Sequence, residues 1–176
     1  MAATETIDRG RRAFLRGRHI VARAGLPLPW TDSESFAARC TTCGACEFAC
    51  PEGIVKPGPG GLPRLEFAES GCSFCGACAA ACPEALFDRN SSPALSLAMA
   101  IADGCLARRE VVCQSCRDAC PEGAIVFTPL LGQVARPRLD STACTACGMC
   151  VSACPVSAIS LQRVTLAEPE GTRPCE

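Results

Sequence analysis

Sixteen of the seventeen cysteines in this 176-residue chain fall into four groups whose spacing suits very little chemistry except metal–sulfur ligation. Cys144, Cys147, Cys150 and Cys154, followed by Pro155, read C-x2-C-x2-C-x3-C-P. That is the ligand run of a bacterial-type [4Fe-4S] site. Cys40, Cys43, Cys46 and Cys50 with Pro51 repeat it without change, as do Cys72, Cys75, Cys78 and Cys82 with Pro83. The third group departs: seven residues separate Cys105 from Cys113, after which Cys116, Cys120 and Pro121 fall back into step. Only Cys175 is left over.

Thiolates three apart in a tight loop can converge on three corners of one cube. The fourth Cys, expected at the start of a short helix, points away and can close the partner's cube. Gly44, Gly76 and Gly148 follow the second Cys of their motifs, where a missing side chain lets backbone N–H groups approach the cluster sulfurs. Gln114 stands there in the third motif, so that site is expected to have altered surroundings and potential.

Distances along the chain suggest which motifs pair. Cys40 to Cys72 is 32 residues and Cys113 to Cys144 is 31, whereas the 27 residues from Cys78 to Cys105 contain a predicted element of their own. Ser92 as N-cap, Pro93 in the first turn, the apolar run Leu95 to Ile101 and a terminating Gly104 predict a helix there. Motif one is therefore paired with two and three with four. The expected ligand sets are Cys40, Cys43, Cys46 with Cys82; Cys72, Cys75, Cys78 with Cys50; Cys105, Cys113, Cys116 with Cys154; and Cys144, Cys147, Cys150 with Cys120. A nested arrangement, one with four and two with three, is the alternative.

Zinc and disulfides are the other uses of so much cysteine. Zinc knuckles pair two C-x2-C units across a long gap, unlike four Cys within eleven positions. Disulfides would need an oxidising compartment. Met1 to Trp30 has no apolar run long enough for a signal core, so a reducing cytoplasm is expected. Only 5% of residues are aromatic and Tyr is absent, which leaves a thin core of Ala, Val, Leu, Ile and a few Phe. Four clusters would serve as its staples, and the cluster-free chain is expected to be poorly folded. The formal net charge is −1; four oxidised clusters with their thiolates would bring it to about −9. Such acidity argues against nucleic acid and for docking on positive protein surfaces.

The elements that must hold these loops are short. An apolar pair or run follows each Cys-Pro after a predicted helical turn: Ile54-Val55, Ala85 to Phe87, Ala124 to Phe127 and Ala158 to Leu161. Glu52, Glu84 and Glu122 read as acidic residues at the start of those turns, facing the helix dipole. The segments Leu62 to Phe67 and Gln133 to Leu139 alternate and carry proline, as edge strands do. Pro57 to Gly61 is a tight turn. Ser33 is the expected N-cap of a helix through Phe36. The fold class expected is α+β: tandem bacterial-type 2[4Fe-4S] ferredoxin-like modules, loop-rich, with short helices and small antiparallel strand pairs. The expected division is a basic arm and connector at 1–30, a first module at 31–90, a linker helix and second module at 91–162, and a tail at 163–176.

The arm carries Arg9, Arg11, Arg12, Arg16, Arg18 and Arg23 against Glu5 and Asp8. Gly10 to Leu15 resembles the core of a twin-arginine export signal without the apolar stretch that should follow. It reads as a solvated arm, as a docking peptide or as an export signal. His19, the lone histidine, is part of it. Leu26-Pro27-Leu28-Pro29-Trp30 is a stiff extended connector, with Trp30 expected to pack on the first module.

The four-motif order, the widened third motif, the Arg11-Arg12 arm, the Leu26 to Trp30 connector and the proline-terminated motifs together resemble the NapF family, the ferredoxin-type proteins of periplasmic nitrate reductase systems. The resemblance runs from about Arg11 to Leu161. It implies a cytoplasmic iron–sulfur protein that, prior to export, contacts the molybdenum-containing catalytic subunit, assists its maturation and transfers electrons to it. It also implies contacts through Arg11, Arg12, Phe14 and Leu15.

The residues themselves support electron transfer through four [4Fe-4S] clusters. An assembly factor with structural clusters and a module of a membrane quinol-oxidising complex are the other readings. No G-x-G-x-x-G or P-loop is present, and one histidine in an arm offers no catalytic set. The chain is expected to be a non-enzyme by itself.

Overall fold

The computed structural model describes residues 26–92, 95 and 97–163. The arm, including His19 and the four residues Arg11, Arg12, Phe14 and Leu15, lies outside the described residues, as does the tail with Cys175. Five short helices are described: α1 (Ser33–Arg39), α2 (Ala45–Phe48), α3 (Ala77–Ala80), α4 (Ser115–Asp118) and α5 (Met149–Ser152). The described strands are β1 (Val55–Pro57), β2 (Pro63–Leu65), β3 (Leu97–Ile101), β4 (Ile125–Leu130), β5 (Gln133–Leu139) and β6 (Ile159–Arg163). They pair as antiparallel ribbons: β1 with β2, β3 with β6 and β4 with β5. The expected fold class, loop-rich with short helices and small antiparallel strand pairs, is the one observed.

The proline-containing strands form where the alternation puts them. Val55 pairs with Leu65 and Pro57 with Pro63, around a 3-10 turn at Pro59–Gly61. Such ribbons tolerate proline because each strand has a free edge. Leu26 adds a bridge to Leu65. Leu28 and Pro29 are buried behind it, so the connector is built into the first ribbon.

Three expectations about local structure are corrected. The segment before motif three is the strand β3 and not a helix: Leu97, Met99 and Ile101 alternate with the exposed Ala98 and Ala100. Period two, not 3.6, governs that run, and it pairs with β6 through Met99 and Leu161, and Ile101 and Ile159. Next, each motif's helix precedes its fourth Cys. Cys50, Cys82, Cys120 and Cys154 stand just past the C-cap residues Ala49, Ala81, Ala119 and Ala153. The Cys-Pro steps that follow lead into turns, so Glu52, Glu84 and Glu122 are turn residues and face no helix dipole; proline there stops the helix it was expected to start. Last, α1 runs through to Arg39, and its opening bond is Phe36 N–H to the Asp32 carbonyl at 2.9 Å, which puts Asp32 and not Ser33 in the capping position.

The core is small and divided. Leu28, Ile54, Val55, Leu65, Phe67, Leu95, Leu97 and Ala146 form one buried cluster, drawn from both halves of the chain. Ile125 and Ile159 form another with Cys116 and Cys150. Phe36 and Leu62 enclose Cys40, with the Phe87 ring 5.7 Å from that of Phe36 in a T-shaped contact. Cysteines take part in every one of these clusters, as a thin core requires.

Candidate metal centres

The motif loops are shaped by left-handed backbone on either side of the second cysteine. Thr42 (φ 58°) and Gly44 (φ 77°) flank Cys43, Phe74 (51°) and Gly76 (78°) flank Cys75, and Ala146 (57°) and Gly148 (84°) flank Cys147. A non-glycine residue held there costs about 1–3 kcal/mol. The gain is a curl that turns N–H groups inward: Thr42 N–H donates to Cys40 Sγ and Phe74 N–H to Cys72 Sγ, each at 3.4 Å. Motif three is built differently. Gln114 has φ −132°, and the left-handed residue is Glu110 (φ 62°), closing the 3-10 turn Ala107–Arg109. Glu110 anchors this wider loop to β5, accepting from Arg136 Nη2 at 2.7 Å and from Val134 N–H at 3.3 Å.

These loops bring cysteines together in fours. One cavity is lined by Cys40, Cys43, Cys46 and Cys82. A second is lined by Cys50, Cys72, Cys75 and Cys78. A third is lined by Cys120, Cys144, Cys147 and Cys150. At motif three, burial raises the Cys116 pKa, and Cys105 and Cys113 lie close enough to add to the rise. Cys154 packs against the buried cluster that contains Cys116 and accepts a hydrogen bond from Ala158 N–H at 3.2 Å. The helices pack to match, α2 on α3 and α4 on α5.

Burial holds several of these thiols in the neutral form. Burial, with neighbouring thiols adding to it, pushes Cys46 up to about 11 and Cys150 up to about 12. Burial also pushes Cys72 up to about 11 and raises Cys78 and Cys116. Thiols crowded without a counter-charge keep their protons; a metal core would displace them.

The donor chemistry fits an iron–sulfur cube better than one ion. Four thiolates on a single zinc at about 2.3 Å would stand about 3.8 Å apart and enclose no space. Here the thiols stand around the walls of cavities. The sixteen described cysteines are all free of disulfides.

Some surroundings were not foreseeable from local pattern. Trp30 packs on the first module as expected and lines the cavity of motif two, its ring 6.3 Å from Phe74 in an edge contact. Arg89 lies over the Trp30 ring and donates to the Gly76 carbonyl at 3.4 Å. Met99, on β3, places Sδ 3.5 Å from Cys150 Sγ. Only the alternation of β3, taken as strand, could have indicated Met99.

A scaffold this short on regular structure, holding thiols in fours, belongs to the ferredoxins, the iron–sulfur electron carriers. Residues 39–86 and 111–164 each match the 4Fe-4S dicluster domain, and residues 13–55 match another family of that description. The ferredoxin-type protein NapF of Escherichia coli (strain K12) is 45% identical over 89% of this chain and 96% of its own length. That of Haemophilus influenzae is 39% identical over 86% and 92%. The chain belongs to the NapF family of ferredoxin-type proteins. Over 70% of its length it is also 38% identical to a protein of the ion-translocating oxidoreductase complex of Methanosarcina acetivorans, covering 47% of that protein. Among the described residues no helix is long and apolar enough to cross a membrane.

Proposed function

We propose that this chain carries four [4Fe-4S] clusters, held by the ligand sets expected from the spacing. The sets are Cys40, Cys43, Cys46 with Cys82; Cys72, Cys75, Cys78 with Cys50; Cys105, Cys113, Cys116 with Cys154; and Cys144, Cys147, Cys150 with Cys120. The observation that carries this reading is that each of three cavities is ringed by three cysteines of one motif and the fourth of its partner. Motifs one and two make the first module and three and four the second. The clusters would supply one-electron chemistry at low potential; the loops around them direct N–H groups at sulfur.

The protein is an electron carrier and not an enzyme by itself, working in the cytoplasm. Its partner is the catalytic subunit of periplasmic nitrate reductase, which it assists in maturing before export while supplying electrons. The family supports this reading, as does an acidity suited to positive docking surfaces. The test is co-purification with the precursor of that subunit under anaerobic conditions. Capture of the precursor by the cluster-loaded protein supports the role, and capture only of unrelated redox proteins contradicts it. A second reading, a component of a membrane quinol-oxidising complex, draws on the similarity to the ion-translocating oxidoreductase protein; recovery with membrane redox proteins would favour it.

A further inference from the structure

The two halves of the chain are stitched together by the loops of motifs two and four. Cys72 N–H donates to the Cys147 carbonyl at 2.6 Å. Beside this bond Gly71 lies so close to Met149 that a Cβ on it would fall 2.6 Å from the Met149 amide nitrogen and 2.8 Å from its Cα. The Phe67 ring occupies the space a side chain on Gly148 would need. Leu95 N–H donates to the Thr145 carbonyl at 3.2 Å, and Ala146 is buried with Val55, Leu65 and Phe67. Burial records the same contact: Cys147 is buried, whereas Cys43 and Cys75, at the same place in motifs one and two, are exposed. The loop of motif three turns to its own half, where Glu110 holds Arg136 and Arg108 holds Asp103.

We propose that the hydrogen bond between Cys72 and Cys147 is the crossing point for electrons between the halves. The order along the molecule is then motif one, two, four, three, and not the order of the sequence. This rests on the four-cluster reading above. Tunnelling is fastest where donor and acceptor are closest and joined by bonds. Here one backbone hydrogen bond completes a path from the Cys72 sulfur to the Cys147 sulfur. The step balances simply: one electron leaves the half that is oxidised and enters the half that is reduced, with no bond broken and no proton moved. Two glycines without side chains and a buried cysteine keep the loops close and the water out, which limits reorganisation on charge transfer.

The test is EPR of the fully reduced holo-protein, read for the spin–spin broadening that the second half imposes on signals of the first. Cys144→Ala removes a ligand of motif four and Cys113→Ala one of motif three, each loss being checked by iron analysis. Broadening lost in Cys144→Ala and kept in Cys113→Ala is the expected result; the reverse overturns the order. Gly71→Ala keeps every ligand and needs no cluster loss. It should weaken the broadening at unchanged iron content, and broadening unchanged there overturns the proposal should either cysteine variant fail to fold. Iron-replete protein with no reducible cluster would instead defeat the electron-carrier reading itself, and is seen in the unaltered protein before any variant is compared.

Discussion

The guanidinium of Arg89 sits over the ring of Trp30, 5.0 Å from its centre, and so holds a positive charge against the loop of motif two. Its Nη1 also reaches the Gly76 carbonyl. A fixed cation beside a site that gains negative charge on reduction favours the reduced state. Arg89→Gln should lower the midpoint potential of the motif-two site by on the order of 40 mV, taking about 1 kcal/mol for a partly screened charge. Redox titration followed by EPR measures this, and an unchanged or higher potential would refute it.

Phe67 covers Gly148 and with it the loop of motif four. Cys147 and Cys150 are both buried, and burial disfavours added charge. The motif-four site should be the last of the four to accept an electron. Phe67→Ala should raise its potential by admitting water and cost the fold about 3–5 kcal/mol, as truncation of a buried Phe does. Potentiometry and thermal unfolding read the two effects separately.

Much of this was legible in the sequence because it is local. Proline-bearing alternation at 133–139 marks a strand, and the Cys spacing marks loops whose curl needs Gly44, Gly76 and Gly148 in left-handed backbone. The run 97–101 carries two conflicting local signals, helix-like ends at Ser92 and Gly104 against an alternating interior. Pairing with 159–163, across a long separation, decides for the strand. Nothing local announces that Cys72 will meet Cys147, or that Arg89 will cover Trp30. The first contact depends on how the two halves pack and the second on how the connector folds back within the first half, and the residues that make them are ordinary in type.

Glu110 ties the widened loop of motif three to β5 through Arg136 and Val134. Glu110→Gln should leave all clusters in place at rest but release about a quarter of the iron faster to a chelator. The pH dependence follows from the sign of the shift. Hydrogen bonds from Arg136 and Val134 hold the Glu110 carboxyl below its ordinary value. Its contribution is therefore present above the usual carboxylate pKa and is lost as pH falls through the depressed one. The quarter of the iron held at motif three should become more chelator-labile as pH falls through the depressed Glu110 pKa, and Glu110→Gln should remove that part of the dependence.

Cys82 lies in the second motif by sequence but lines the cavity of the first. Cys82→Ser should disturb the site of Cys40, Cys43 and Cys46 and spare that of Cys72, Cys75 and Cys78. Cys50→Ser should do the opposite. Cluster-resolved EPR of the two variants distinguishes this crossed ligation from one in which each motif closes its own site.

The most direct measurement is iron and acid-labile sulfide in protein purified without oxygen. Four cubes require about sixteen irons and about sixteen sulfides per chain, with a brown colour that bleaches on reduction. Stoichiometric zinc, or a colourless protein that is nonetheless folded, would contradict it.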